Sequence, residues 1–231
     1  MKKLGIIGGI GPEATMSYYD NIIKGYQQRV DSLQTLPEIV INSINMYHMF
    51  SMLEREEYDG VAAYLVEAVR NLQRAGADFA LMCGNTPHIV FNEIQEQVDI
   101  PLLSIVSPTL EAARSQGLTT LGLLGTKFTM QHDFFAAPLR ESGIRVVTPS
   151  ADEQNFIHQT IVDELENGIV LKQTKQEMIR LISAMIDRNH LDGIILGCTE
   201  LPLLLHANDL PLAVLDIAEL HIRQAIAEIC G

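Results

Sequence analysis

Hydrophobic positions along the chain follow two alternating patterns. In short runs nearly every residue is apolar, and in longer stretches apolar residues recur every three or four positions. The first pattern is typical of strands buried on both faces, and the second of amphipathic helices. The patterns predict strands at 4–8, 38–42, 79–82 and 101–106, and helices at 14–30 and 58–74. Because strands and helices alternate, the sequence predicts an α/β fold built on parallel sheets.

The second half of the chain repeats the first. Three short segments recur in the same order, 110 to 117 residues apart: 4–8 with 121–125, 78–84 with 192–198, and 99–102 with 209–212. Their order indicates duplication of a unit of about 115 residues. We therefore expect two pseudo-symmetric lobes, each a parallel sheet flanked by helices. The active site is expected in the cleft between them, since open α/β sheets bind ligands beyond the carboxyl ends of their strands.

Composition narrows the class of protein. The chain has 231 residues, of which 47% are hydrophobic and 19% charged, as in globular proteins. Its net charge of −13 argues against nucleic acid or an anionic membrane as a partner. No apolar run approaches the roughly 18 residues of a membrane helix. Because no export signal is recognisable, we expect a cytoplasmic protein whose three cysteines stay reduced.

A glycine-rich turn follows the first predicted strand, with the sequence Gly-Gly-Ile-Gly-Pro at 8–12. Such turns let backbone N–H groups approach an anion. The glycine spacing matches neither the dinucleotide-binding fingerprint nor the phosphate-binding loop of nucleotide hydrolases. Two interpretations stay open. The segment is a tight turn, or its backbone at Ile10 and Gly11 binds a small carboxylate.

Two cysteines stand where predicted strands end in the two halves. Cys83 is followed by Gly84, Asn85 and Thr86, and Cys198 by Thr199 and Glu200. Short polar groups at strand ends stabilise an oxygen that gains charge during reaction. A thiol becomes an effective base where nearby dipoles favour the thiolate. The alternative is that each cysteine is a small buried hydrophobic residue.

Other polar residues offer weaker signals. Thr126 and Thr129, in Gly-Thr-Lys-Phe-Thr at 125–129, follow another predicted strand, and they either present hydroxyls to the cleft or cap a helix. His88 is expected at the surface or as a helix cap. The seven histidines show no paired spacing typical of metal ligands, so no metal is expected.

Together, the segments 8–12, 85–86, 125–129 and 197–200 resemble the cofactor-independent aspartate/glutamate racemase family, in particular its bacterial broad-specificity amino-acid racemases. The resemblance implies a homodimer that acts on an amino acid or related carboxylate with no cofactor. It also implies that the C-terminal helix returns to the first lobe. The expected lobes are therefore 1–100 plus 208–231, and 101–207.

In that family two thiols flank the substrate Cα, and one removes the α-proton while the other returns a proton to the opposite face. Cys198 matches the second thiol. At the first position, directly before Asn85, this chain has Gly84, and Cys83 lies one residue earlier. A one-residue shift turns a side chain to the other face of a strand. Either Cys83 or a water beside Gly84 is therefore expected to serve the other face.

The expected catalytic residues are Cys198 and Cys83. The substrate is expected to be held by Ile10, Gly11, Gly84, Asn85, Thr86, Thr126, Thr129, Thr199 and Glu200. Where some aspartate racemases carry Arg and Lys anchors, this chain has His48 or Met49, and Glu166, with Lys127 as a candidate replacement. The loss of these anchors disfavours aspartate and leaves neutral amino acids open.

Two alternatives remain beside the racemase. Arylmalonate decarboxylases are similar in having Gly at the first position and Cys at the second, so a single-cysteine decarboxylase is the first. The second is a small-acid binding protein that has lost a catalytic residue.

Overall fold

Eight strands form two separate four-stranded sheets in the computed structural model, which describes residues 1–231. The first sheet contains β1 (Leu4–Gly8), β2 (Ile39–Ser43), β3 (Phe79–Met82) and β4 (Leu102–Leu103). The second contains β5 (Thr120–Leu124), β6 (Arg145–Val147), β7 (Gly193–Leu196) and β8 (Ala213–Asp216). All pairs are parallel, and the strand orders β2-β1-β3-β4 and β6-β5-β7-β8 are equivalent. The predicted α/β class with two parallel sheets is confirmed.

Helices connect the strands. They are α1 (Pro12–Arg29), α2 (Met46–Glu54), α3 (Tyr58–Arg74), α4 (Phe91–Gln95), α5 (Val106–Ser115), α6 (Lys127–Gln131), α7 (Asp133–Glu141), α8 (Ala151–Gln159), α9 (Lys172–Asn189), α10 (Leu201–Leu204) and α11 (Ile217–Cys230). Single turns of 3₁₀ helix occupy Thr86–Val90, Leu165–Asn167 and Ala207–Asp209, and a π-helical turn occupies Thr160–Glu164. The strand predicted at 101–106 is shorter than expected because α5 already begins at Val106. No helix has the length and apolar character needed to cross a membrane.

The chain divides into two compact units. The first comprises Met1–Ser104 with His221–Gly231, and the second comprises Ile105–Leu220. These bounds differ from the lobes expected from the sequence, which placed 208–231 entirely in the first. The physical reason is β8, whose four residues all pair with β7 and so complete the second sheet. The return to the first unit therefore begins later, within α11.

Within each sheet, an equivalent aspartate links the starts of two neighbouring strands. Asp78 accepts a hydrogen bond at 2.7 Å from the backbone N–H of Lys3, just before β1. Asp192 accepts from the backbone N–H groups of Thr119 and Thr120 at 2.8 and 3.0 Å, at the start of β5. The repeat seen in the sequence is therefore a repeat of structure.

The second sheet is buried on both faces. Leu121, Leu123 and Ile195 pack into one apolar cluster, and Leu124 and Leu196 pack into another that also contains Cys198. Alternate residues of one strand thus enter two cores, which explains the uninterrupted apolar runs.

The end of α11 packs within the first unit. His221 is fully buried, with Nδ1 3.1 Å from the Tyr18 hydroxyl and Nε2 3.2 Å from the carbonyl oxygen of Leu103. Gly25 on α1 leaves room for Ile226, whose side chain would lie 2.4 Å from an added Cβ. These contacts hold α11 against α1 and against β4.

Candidate active site

Cys198 lies just beyond the end of β7. The preceding residue, Gly197, donates its N–H to the carbonyl oxygen of Leu124 at 2.6 Å. A Cβ at position 197 would come within 2.6 Å of that same oxygen, so only glycine fits here. This close approach fixes the backbone from which the Cys198 side chain projects. The thiol donates a hydrogen bond to Oε2 of Glu200 at 2.9 Å.

The surroundings of Cys198 keep its thiol protonated in the resting protein. Burial raises the pKa of the thiol well above its usual value, and the negative charge of Glu200 raises it further. Glu200 is itself only 7% exposed, and the Thr199 hydroxyl donates to the same carboxylate oxygen at 2.8 Å. The thiol proton therefore points at a buried carboxylate that can accept it.

A second carboxyl group contributes to this environment. Glu166 belongs to the turn Leu165–Asn167, which contacts α10. Although the residue as a whole is exposed, partial burial of its carboxyl group and the charge of Glu200 raise its pKa to about 7. Its charge also raises the pKa of the Cys198 thiol. Two acidic side chains thus act on one thiol.

Thr126 and Thr129 have structural contacts in the second unit. The Thr126 hydroxyl caps α6 by accepting from the backbone N–H of Thr129 at 3.4 Å. Thr129 is 2% exposed, and its side chain packs over Gly125 and Gly197. The capping interpretation is therefore what the structure shows for Thr126. Lys127, at the start of α6, also acts on His158, a histidine that the sequence patterns did not single out. Burial and the charge of Lys127 lower the pKa of His158.

Cys83 occupies a different position from Cys198. In the two sheets β3 and β7 are equivalent, so Cys83 corresponds to Gly197, and Gly84 corresponds to Cys198. The Cys83 thiol has no exposed surface and lies 3.2 Å from both the carbonyl oxygen of Ile7 and the Thr15 hydroxyl. The one-residue shift thus turns this thiol into the interior of the first unit, whereas the sequence suggested it as an acid/base.

The residues after Gly84 are held by a buried histidine. Nδ1 of His88 lies 3.0 Å from the carbonyl oxygen of Gly84 and 3.2 Å from that of Asn85. Burial lowers the pKa of His88 to about 4, so the ring is neutral at pH 7. The expectation of a surface or capping histidine is therefore wrong, since the ring stacks on Phe91 in the interior. Asn85 is also buried, and Thr86 is half-buried.

The glycine-rich turn is closed by its own contacts. The Thr15 hydroxyl accepts from the N–H of Gly9 at 2.9 Å and donates to the carbonyl oxygen of Gly11 at 2.9 Å. Gly9 has φ of +77°, a conformation that favours glycine. The Gly9 N–H is thus occupied within the protein. Ile10, between the two glycines, is 5% exposed and packs against Gly84.

No group of three or more His, Cys, Asp or Glu side chains is placed to hold a metal ion. The second unit presents the buried Cys198 thiol and the Thr199 hydroxyl, both of which donate to the carboxylate of Glu200. The sequence does not reveal that Glu200 is the hydrogen-bond partner of Cys198. That contact exists only once the chain turns after β7.

Several known proteins are similar to this chain in sequence and in fold. The model of the Asp/Glu/Hydantoin racemase family matches residues 7–225. The broad specificity amino-acid racemase RacX of Bacillus subtilis is 25% identical over 205 residues, 86% of this chain and 85% of that protein. The glutamate racemase of Streptococcus agalactiae is 26% identical over 125 residues, and this match spans 54% of the chain but only 45% of that enzyme.

Solved structures extend the comparison to the whole chain. An aspartate racemase homologue from Pyrococcus horikoshii OT3 is 38% identical, with a TM-score of 0.89 and full coverage of both chains. A candidate Asp/Glu racemase from Yersinia pestis is 31% identical, with a TM-score of 0.92 and full coverage of both. A cysteine variant of arylmalonate decarboxylase shares the fold alone, at 15% identity and a TM-score of 0.60 over 99% of this chain and 93% of its own.

Proposed function

This chain belongs to the Asp/Glu/Hydantoin racemase family, and on that premise we propose that it is a cofactor-independent amino-acid racemase in which Cys198 moves the α-proton. The observation that carries the proposal is the Cys198 thiol, placed at a strand end with its proton directed at Glu200 over 2.9 Å. An isomerase of this kind needs an acid/base group of high intrinsic basicity, because an amino-acid α-proton is only weakly acidic.

The proposed proton transfer has three steps. Glu200 first accepts the thiol proton, which leaves Cys198 as the thiolate. A sulfur lone pair then forms a new S–H bond with the α-proton, while the C–H electron pair moves into the carboxylate and gives an enediolate. A proton then returns to Cα in one of two ways. Transfer from the Cys198 S–H restores the starting enantiomer, and Glu200 gives its proton back to the sulfur. Transfer from water on the opposite face gives the other enantiomer and leaves hydroxide, which takes the proton held by Glu200. Because burial raises the pKa of the thiol, its thiolate is a strong base once formed.

Hydrogen-bond donors that follow the strand ends are proposed to stabilise the enediolate. Thr199 and Thr126 carry hydroxyls that are only partly buried, and Asn85 and Thr86 stand at the equivalent strand end of the first unit. Donors aimed at the oxygens that gain charge stabilise the transition state more than the ground state. These roles rest on the family resemblance.

Neutral amino acids are the proposed substrates. The carboxyl groups of Glu166 and Glu200 interact electrostatically with each other and with Cys198. A second carboxylate on the substrate would be repelled by them. This arrangement supports a substrate with one carboxylate over aspartate or glutamate. We also propose that the protein is a homodimer and that it works in the reducing cytoplasm, where Cys198 stays a thiol.

The test is proton NMR in D2O with a panel of L- and D-amino acids, followed by measurement of enantiomer ratios. Loss of the Cα–H signal is expected with at least one neutral amino acid. A Cys198→Ala variant should lose this exchange, whereas Cys230→Ala should keep it, because Cys230 is an exposed thiol at the end of α11. Unchanged exchange in Cys198→Ala would refute the assignment. Loss of exchange in a folded Cys83→Ala variant would return Cys83 to the mechanism.

One observation favours a second candidate, a single-cysteine decarboxylase. Position 84 is glycine, and the neighbouring thiol is buried. Loss of CO2 from a malonate generates an enediolate without proton abstraction, so one proton donor suffices. Release of CO2 from substituted malonates that depends on Cys198 would support this reaction, and no release across the panel would exclude it. A ligand that raises the melting temperature without turnover would instead indicate a binding protein.

A further inference from the structure

Ile10 fills the space into which a side chain at position 84 would project. A Cβ added to Gly84 would lie 2.6 Å from Cγ2 of Ile10, 3.2 Å from its Cβ and 3.1 Å from its carbonyl oxygen. Real Cβ atoms essentially never approach a carbon to 2.6 Å. Any residue larger than glycine at position 84 therefore requires Ile10 to move.

The turn that carries Ile10 leaves it little freedom to move. The Thr15 hydroxyl is bonded on both sides of the residue, to the N–H of Gly9 and the carbonyl oxygen of Gly11. On the far side, a Cβ at Gly9 would lie only 2.3 Å from the carbonyl oxygen of Ile44, so the turn is already in close contact with the chain after β2. The placement of Ile10 is therefore set by the backbone.

The two equivalent strand ends consequently differ in chemistry. Beyond β7 stands the thiol of Cys198, with Glu200 as its acceptor. Beyond β3 stands the hydrocarbon side chain of Ile10, which is 5% exposed and can neither donate nor accept a proton.

We infer that Ile10 is a specificity-determining residue, which closes position 84 to any acid/base group and leaves Cys198 as the one thiol that exchanges the α-proton. This inference rests on the proposed racemase function. The thiol that removes the α-proton then returns a proton to the same face of Cα, which restores the original configuration. Inversion requires a proton from a second donor on the opposite face of Cα, and neither Gly84 nor Ile10 has a side chain that can supply one. Exchange of the α-proton is therefore faster than inversion.

The packing part of the inference is tested by stability alone. Gly84→Ala, Ile10→Ala and the double variant are compared with the unmodified chain by urea denaturation. Gly84→Ala should lower the urea concentration at the midpoint of unfolding, because the added Cβ meets Cγ2 of Ile10. In the Ile10→Ala background the same change should lower it far less, because the clashing Cγ2 is gone. Equal effects of Gly84→Ala in both backgrounds would overturn the inference, whatever the activity.

The chemical part is tested by the ratio of inversion to exchange in D2O. The unmodified chain should exchange at least tenfold faster than it inverts, and Ile10→Ala combined with Gly84→Cys should raise the inversion-to-exchange ratio at least tenfold. Gly84→Cys alone should raise it less. Equal rates of exchange and inversion in the unmodified chain would overturn the inference while the racemase function stands. No exchange in any of these proteins would overturn the proposed function instead, and the stability cycle would still decide the role of Ile10.

Discussion

Replacement of Thr15 by Val removes one hydroxyl and keeps the shape of the side chain. That hydroxyl accepts from the N–H of Gly9 and donates to the carbonyl oxygen of Gly11, each at 2.9 Å. The Thr15 methyl group packs against Gly8, where an added Cβ would lie 2.6 Å from it, and Val preserves this contact. The substitution therefore isolates the contribution of the hydroxyl to the glycine-rich turn.

The expected cost follows from the two hydrogen bonds. The bond to Gly11 is worth about 0.5–1.5 kcal/mol, and the N–H of Gly9, left without its acceptor, costs about 1–3 kcal/mol more. The carbonyl oxygen of Gly11 keeps a second donor, the backbone N–H of residue 15 at 3.2 Å. We therefore expect Thr15→Val to lower the free energy of unfolding by about 1.5–4.5 kcal/mol.

The matched control is Thr15→Ser, which keeps the hydroxyl and removes the methyl group. Its expected cost is about 1 kcal/mol, the value of one buried methyl group with a small cavity. Both variants are measured by urea denaturation followed by circular dichroism at pH 7. Amide hydrogen exchange at Ile10 should also accelerate in Thr15→Val. If Thr15→Ser proves as destabilising as Thr15→Val, the turn is held by packing and the reasoning fails.

Two further predictions concern titrating groups. Because the charge of Glu166 raises the pKa of the Cys198 thiol, Glu166→Gln in a Cys230→Ala background should speed iodoacetamide alkylation of Cys198 between pH 7 and 9, and an unchanged rate would contradict the coupling. Burial lowers the pKa of His88 to about 4 and that of His221 to about 3, so the unfolded chain, with histidine pKa values near 6.5, binds protons first as the pH falls. Stability is thus lost between pH 7 and 5 by about 2 kcal/mol for each histidine. A His221→Phe variant should show a pH dependence flatter by about 1 kcal/mol per pH unit, and parallel curves would contradict this account.

Much of the fold follows from local patterns. The apolar runs identified β1 and β3, and the helical spacing identified α3 with the bounds that the structure shows, Tyr58–Arg74. The internal repeat predicted two sheets of one topology, because duplicated segments carry the same alternation of strand and helix. These features arise from interactions between residues close together in the chain, so they can be predicted from local sequence patterns.

The candidate site was only partly predictable. The motif at 197–200 identified Cys198 and Glu200, but not that the carboxylate accepts the thiol proton at 2.9 Å. Cys83 illustrates the limit more clearly. Its place one residue before Gly84 left its direction open, since side chains beyond the last ladder hydrogen bond no longer follow the strict alternation of the strand.

The sequence by itself determined the α/β class, the duplication and one thiol at a strand end. Only the tertiary structure decided that Cys83 turns into the first unit, that Ile10 occupies the space beside Gly84, and that His88 and His221 lie with ring centres 6.0 Å apart. The reason is the range of the interactions. Periodicity and turn chemistry act between residues close in the chain, whereas burial and side-chain contact join segments that meet only when the sheets have formed.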